Sequence, residues 1–200
     1  MTVAVPERLI LASRSPRRQK LLGLLGIDFD VLPSDIHEHL DPSESPESAV
    51  TRLATEKAEP IAVKHPSSLV IGSDTIVVLD GAVLGKPDSA QHARAMLRSL
   101  SGRTHQVYTG VALVHRESGK SVSFAEKTDV RFGELGDAEI DDYLAGGSSF
   151  DKAGSYGIQD DRGALFVEGI HGDFYNVMGL PVFRLNRVLQ DEFPAMLPLS

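Results

Sequence analysis

The sequence predicts an α/β fold, one domain spanning residues 1–200 or two closely joined lobes, and three features lead to that class. Strand-like apolar runs alternate with helix-like segments along the chain. Two long stretches of strand character, residues 105–115 and 122–132, are joined by a Glu117-Ser118-Gly119-Lys120 turn. Helix-opening Ser-Pro pairs recur at Ser15-Pro16 and Ser45-Pro46.

The elements follow in order. Residues 8–12 (RLILA) read as a buried strand. The polar turn SRSPRR leads into a helix with Ser15 as N-cap, an apolar stripe of Leu21, Leu22, Leu24 and Leu25, and Gly26 as its end. A strand at 29–32 precedes an acidic loop rich in Pro and Ser. Ser45-Pro46-Glu47 opens a second helix whose inner face is Val50, Leu53, Ala54, Ala58 and Ile61, with Arg52 and Lys57 near its polar side. Residues 68–79 (SLVIGSDTIVVL) are apolar except for Gly72, Ser73, Asp74 and Thr75. Asp80-Gly81 is a hairpin turn, and Asp88 caps a helix that turns Ala90, Ala93, Met96, Leu97 and Leu100 inward. After the two long strands come a short helix at 137–144, a Gly-rich segment at 146–157, a strand at 164–168 and a C-terminal helix at 181–190.

Composition narrows the function. With 42% hydrophobic residues and a mean hydropathy of -0.08, the chain is an ordinary globular one, able to bury roughly 70% of its unfolded surface. The 28 acidic against 20 basic residues give a formal charge of -8, which argues against nucleic-acid binding over a broad basic face. A phosphorylated small molecule is compatible with that charge if the cations gather locally. The absence of cysteine excludes disulfides, thiolate metal sites and a cysteine nucleophile. The N-terminal MTVAVPERLILAS lacks a basic leader, and no run reaches the roughly 18 apolar residues of a membrane span. The expectation is a cytoplasmic protein with no membrane partner.

Four constellations offer chemistry. Ser13-Arg14-Ser15-Pro16-Arg17-Arg18 places hydroxyls, free N–H groups and guanidinium forks at a helix start, a combination suited to phosphate oxygens, or simply a solvated basic cap. In Gly72-Ser73-Asp74-Thr75, a carboxylate interrupts an apolar strand. It is placed to hold Mg²⁺ or Mn²⁺ or to take a proton from water, unless it is a structural Asp bonded to a turn. Gly85-Lys86-Pro87 presents a cation in a turn. The segment 151–159 (DKAGSYGIQ) ends in Gln159, whose amide offers a donor and an acceptor to a base edge, though a plain surface loop looks the same. Of His37-Glu38-His39, only Glu38 is taken as a metal ligand, because three consecutive residues do not readily converge on one ion.

Taken together and in order, ILASRSPRRQKLL, VIGSDTIVVLDGAVLGKP, LSGRTHQVYTGVAL and DKAGSYGIQ closely resemble the Maf family of nucleotide pyrophosphatases, over nearly the whole chain. The resemblance implies a Maf/ITPase-like fold: an elongated mixed β-sheet flanked by helices, in two lobes with a cleft between them. It also implies divalent metal dependence (Mg²⁺ or Mn²⁺), a nucleoside triphosphate substrate and a homodimer. Asp74 matches the family's catalytic acid and proton acceptor. Arg17, Thr75 and Gln159 match base-selecting positions of the branch that hydrolyses dTTP and UTP. The branch acting on methylated guanosine triphosphate has an aromatic residue at the Arg17 position and no counterpart of GSYGIQ. Ser13, Arg18, Lys57 and Lys86 match polar positions lining the cleft, and Glu38 matches an acidic position near the metal. His37 departs from the pattern, standing where members often carry an acid.

The resulting expectation is a dTTP/UTP pyrophosphatase releasing the monophosphate and pyrophosphate, which keeps modified nucleotides from incorporation and is linked to division arrest. Two alternatives stay open: a house-cleaning pyrophosphatase for other non-standard nucleotides, and a nucleotide-binding regulator of septum formation without significant turnover.

Overall fold

The structure is a computed structural model of the chain and describes residues 6–36, 38–41, 43–147, 152–159 and 162–197. The chain forms two compact units. One comprises Met1–Asp74, Thr109–Glu126 and Gly179–Ser200, the other Thr75–Tyr108 and Lys127–Met178.

In the first unit, strand β1 (Arg8–Leu11) buries Leu9, Ile10 and Leu11. Helix α1 (Pro16–Gly23) starts at the expected cap, Ser15, and finishes at Gly23 with Leu24 as C-cap. It stops short of Gly26, whose φ of +67° then turns the chain toward strand β2 (Phe29–Val31). Helix α2 (Pro46–Lys64) is capped by Ser45 and buries the five apolar residues expected of it. Lys57 departs from expectation: it lies on the buried face, not the polar one, because it shares the i, i+3, i+4, i+7 stripe with Val50, Leu53 and Ala54.

Strand β3 (Ser68–Leu79) pairs in parallel with β1, Leu9 beside Leu69 and Leu11 beside Ile71, while β1 also pairs in parallel with β2. Two glycines let α2 lie directly on the strands. A Cβ at Gly72 would stand 2.0 Å from the Ala54 carbonyl oxygen. One at Gly110, in the later strand Thr104–His115, would stand 2.1 Å from that of Val50. The core beneath α2 is made of small and branched residues, among them Ile10, Ala54, Ala58, Val70, Ala112 and Val114.

In the second unit, strand β4 (Ala82–Leu84) folds back antiparallel on β3 through Asp80 and Gly81, both at positive φ as a type I′ turn requires. Helix α3 (Ala90–Leu100) is capped by Ser89, whose Oγ accepts from the His92 N–H at 3.1 Å. Asp88, the expected cap, sits one residue earlier and bonds the His92 ring instead.

Strands β5 (Thr104–His115) and β6 (Lys120–Phe132) contribute residues to both units, as β3 does. Helix α4 (Asp137–Ala145) follows, with the Glu139 carboxylate accepting from the Gly136 N–H. The strand expected at 164–168 is replaced by a 3-10 turn (Gly163–Phe166) and strand β7 (Val167–His171), antiparallel to β6. Short apolar runs do not distinguish strand from helical turn, and this one buries Phe166 while exposing Leu165. A short helix α5 (Phe174–Met178), absent from the sequence expectation, precedes α6 (Val182–Glu192) of the first unit.

The seven strands form one mixed sheet, ordered β2-β1-β3-β5-β6-β7 with β4 on β3, and helices flank it. Among the described residues, no helix is long and apolar enough to cross a membrane.

Candidate functional site

Asp74 closes the first unit's stretch of β3 and is buried to 6% exposure. Its Oδ1 lies 2.5 Å from the Lys57 ammonium, and the same ammonium lies 2.7 Å from Oε1 of Glu38. The juxtaposition follows from the packing of α2. With Gly72 pressed against Ala54 and Ala58, the intervening Lys57 is carried to the residue two places beyond that glycine. A buried carboxylate is expensive without compensation, and the buried ammonium supplies it.

Arg18, in the first turn of α1, is fixed from several directions. Its Nε donates to the Gly179 carbonyl at 2.8 Å, and one terminal nitrogen makes a long contact of 3.4 Å with the buried Ser13 hydroxyl. Burial pulls the Arg18 pKa below the ordinary arginine value; Asp74 opposes that shift, Arg17 adds to it and Glu38 opposes it. An arginine nevertheless keeps its charge in a protein, so Arg18 presents a cation within the field of both carboxylates. Arg17 is its partly buried neighbour on the same turn, whereas Arg14 is exposed and pairs with Asp35.

Gly179 is a part of the site that its local sequence does not mark. Its φ of +114° suits glycine, and its carbonyl also accepts from the Ser73 hydroxyl at 3.2 Å. One backbone oxygen thus joins the residue before Asp74 to the guanidinium of Arg18. The Gly in NVMGLP, just past α5, is a local signal for a helix-ending turn, but nothing local announces partners more than a hundred residues away.

The first unit therefore gathers Ser13, Arg18, Glu38, Lys57 and Asp74, with Arg17 alongside. Thr75, Lys86 and Gln159 belong to the second unit. Thr75 follows Asp74 directly and is partly buried, Lys86 is exposed in the turn after β4, and Gln159 is partly buried at the end of the segment 152–159. The Gly154 N–H donates to the Gly85 carbonyl at 3.1 Å, so the Lys86 turn is tied to the segment that ends in Gln159. His37 and Asp151 lie outside the described residues.

Among the described residues, no group of three or more His, Cys, Asp or Glu is placed to hold a metal. Glu38 and Asp74 nevertheless converge on one cation, and both offer hard oxygen donors. That fits Mg²⁺ or Mn²⁺, which are commonly held by one or two carboxylates with phosphate and water completing the shell.

The chain is similar to known proteins in family and in fold. Residues 8–192 match the family described as Maf-like protein. The dTTP/UTP pyrophosphatase of Salinibacter ruber is 50% identical over 192 residues, covering 96% of this chain and 94% of its own. That of Bacillus cytotoxicus is 50% identical over 184 residues, covering 92% and 95%. Among solved structures, a HAM1 protein from Coxiella burnetii is similar with a TM-score of 0.51 at 14% identity, over 92% of this chain and 98% of that one. The last likeness concerns the fold alone.

Proposed function

The chain belongs to the Maf-like protein family, and from that membership together with the cluster around Asp74 we propose that it hydrolyses dTTP and UTP to the nucleoside monophosphate and pyrophosphate. The observation that carries the reading is the Asp74 carboxylate, buried in a strand, paired with Lys57 and within the electrostatic reach of Arg18.

In this mechanism the guanidinium of Arg18 and the ammonium of Lys57 meet the triphosphate's charge, and the Gly179 carbonyl and Ser13 hydroxyl hold Arg18 in place. A carboxylate oxygen of Asp74 orients a water and accepts its proton. The water oxygen forms a bond to the α-phosphorus while the bridging bond to the β-phosphate breaks, and pyrophosphate leaves with that electron pair. A divalent cation bound by Glu38 and Asp74 would supply further positive charge against the oxygens where charge develops. Lys57, shared between the two carboxylates, would hold its ammonium where the triphosphate's charge meets Glu38 and Asp74.

Selection of the base is assigned to Arg17, Thr75 and Gln159, and a further phosphate contact to Lys86, on the likeness of their motifs to the family's. A uracil or thymine ring offers two carbonyls and one ring N–H, which a guanidinium and an amide can pair.

The test is pyrophosphate release with Mg²⁺ or Mn²⁺ over common and modified nucleoside triphosphates, wild type beside Asp74→Asn. Fastest turnover of dTTP and UTP, lost in the variant, is expected. A panel led by modified or purine nucleotides would make the protein a house-cleaning enzyme, and nucleotide binding without turnover would make it a regulator.

A further inference from the structure

The amide of Gln159 cannot by itself tell uracil from cytosine. Uracil presents a carbonyl acceptor and a ring N–H donor on its pairing edge, and cytosine presents an amino donor and a ring-nitrogen acceptor. A glutamine amide carries one group of each kind and satisfies either edge after a half-turn of its last torsion. Discrimination therefore falls to whatever fixes where that amide sits and which of its two groups faces each part of the base edge.

The segment 152–159 is held at several points. Gly154 and Ser155 are both at positive φ, +69° and +64°, and a non-glycine residue holds that conformation only where its surroundings enforce it. Four second-unit elements do so. The Gly154 N–H donates to the Gly85 carbonyl, and a Cβ there would press on Val77 of β3 at 3.2 Å. The Ser155 hydroxyl donates to the Met96 sulfur of α3 at 3.2 Å, and the Gly157 N–H donates to the Tyr143 hydroxyl of α4 at 3.2 Å.

The deepest of these anchors joins two side chains that the catalytic reading leaves unused. His105 of β5 is fully buried, and its Nε2 is hydrogen-bonded to the hydroxyl of buried Tyr156 at 2.7 Å. Both rings pack edge-to-face on Phe132, at 4.9 and 4.8 Å between centroids. Among the described residues the His105 Nδ1 has no hydrogen-bond partner, so the tyrosine hydroxyl is the polar contact that orients this ring.

We propose that the His105–Tyr156 hydrogen bond is a positioning device for base selection: it holds the strained turn three residues before Gln159 so that the amide meets a uracil-type edge and refuses a cytosine one. The inference rests on the reading of Gln159 as a base-selecting residue. Tyr156 acts through the backbone of the segment and not on the base itself. Tyr156→Phe removes one oxygen and keeps the ring contacts, so the core stays packed while the pin is lost.

The experiment measures kcat and KM for UTP and CTP in wild type, Tyr156→Phe, His105→Leu, the double variant and Gln159→Ala, with a thermal melt of each. The expected result is that Tyr156→Phe narrows the UTP-over-CTP preference about tenfold, chiefly through a higher KM for UTP, with kcat nearly unchanged. Adding His105→Leu to it should narrow the preference no further, since the two residues act as one unit. If Tyr156→Phe lowers only the melting temperature, or slows both substrates alike, the pair is structural and the proposal is overturned. If Gln159→Ala collapses the preference while Tyr156→Phe leaves it intact, the base-selecting reading stands and this inference alone falls. An unchanged preference in Gln159→Ala removes the reading and the inference together.

Discussion

The ammonium of Lys57 lies 2.5 Å from the carboxylate of Asp74, and the two residues come from a helix and a strand whose backbones touch through Gly72. Because Glu38 still faces the Lys57 ammonium, Asp74→Asn keeps shape and an oxygen acceptor for that ammonium but removes the proton acceptor. Pyrophosphate release from dTTP should fall about a hundredfold or more, with a circular dichroism spectrum like that of the wild type. Near-normal turnover would reduce Asp74 to a structural partner of Lys57.

Removing the other partner tests the cation site. Lys57→Met leaves Asp74 buried without its ammonium, and an uncompensated buried charge costs on the order of 3 kcal/mol. Glu38, more exposed, loses less. If the two carboxylates form a site for a divalent ion, Mn²⁺ should restore much of the lost melting temperature in this variant, and more than it adds to the wild type. Equal effects of Mn²⁺ on both proteins would count against Glu38 and Asp74 as ligands.

How much of this was legible in the chain depends on how local each cause is. Asp74 stands out because a carboxylate in an apolar strand must have a partner, and Ser15 and Ser45 stand out because caps act within one turn. Asp88 and Ser89 are both good caps, so the residue chosen shifts by one. Lys57 is legible by spacing, falling seven residues after Val50, but is easily assigned to the polar side by its charge alone. Gly72 reads as room for a close approach, and what approaches in the structure is the backbone of α2. Gly179 is of another kind, since its bond to Arg18 spans 161 residues and exists only once the sheet has formed.

Gly179→Ala puts that long-range bond to the test. A residue with a side chain is strained at φ +114°, at a cost of about 1 to 3 kcal/mol, and relief of the strain swings the carbonyl away from Arg18 and Ser73. If Arg18 binds phosphate, KM for dTTP should rise roughly tenfold while the variant still melts cooperatively. An unchanged KM in a destabilised variant would confine Gly179 to the fold.

His105 makes stability depend on pH in a defined window. Burial pulls its pKa down from 6.5 to about 4, so the ring is neutral in the folded chain while its unfolded counterpart takes up a proton below 6.5. Between those values the unfolded state binds more protons, and stability is lost as pH falls from 6.5 through about 4. At pH 5 the loss attributable to this one ring is on the order of 2 kcal/mol relative to neutral pH. Urea unfolding of the wild type and of His105→Leu at pH 7.5 and pH 5 would read the difference. The variant is expected to be the less stable of the two at pH 7.5, because it leaves the Tyr156 hydroxyl without its partner, yet to lose less on acidification. Parallel losses in the two proteins would mean that the proton is taken up elsewhere.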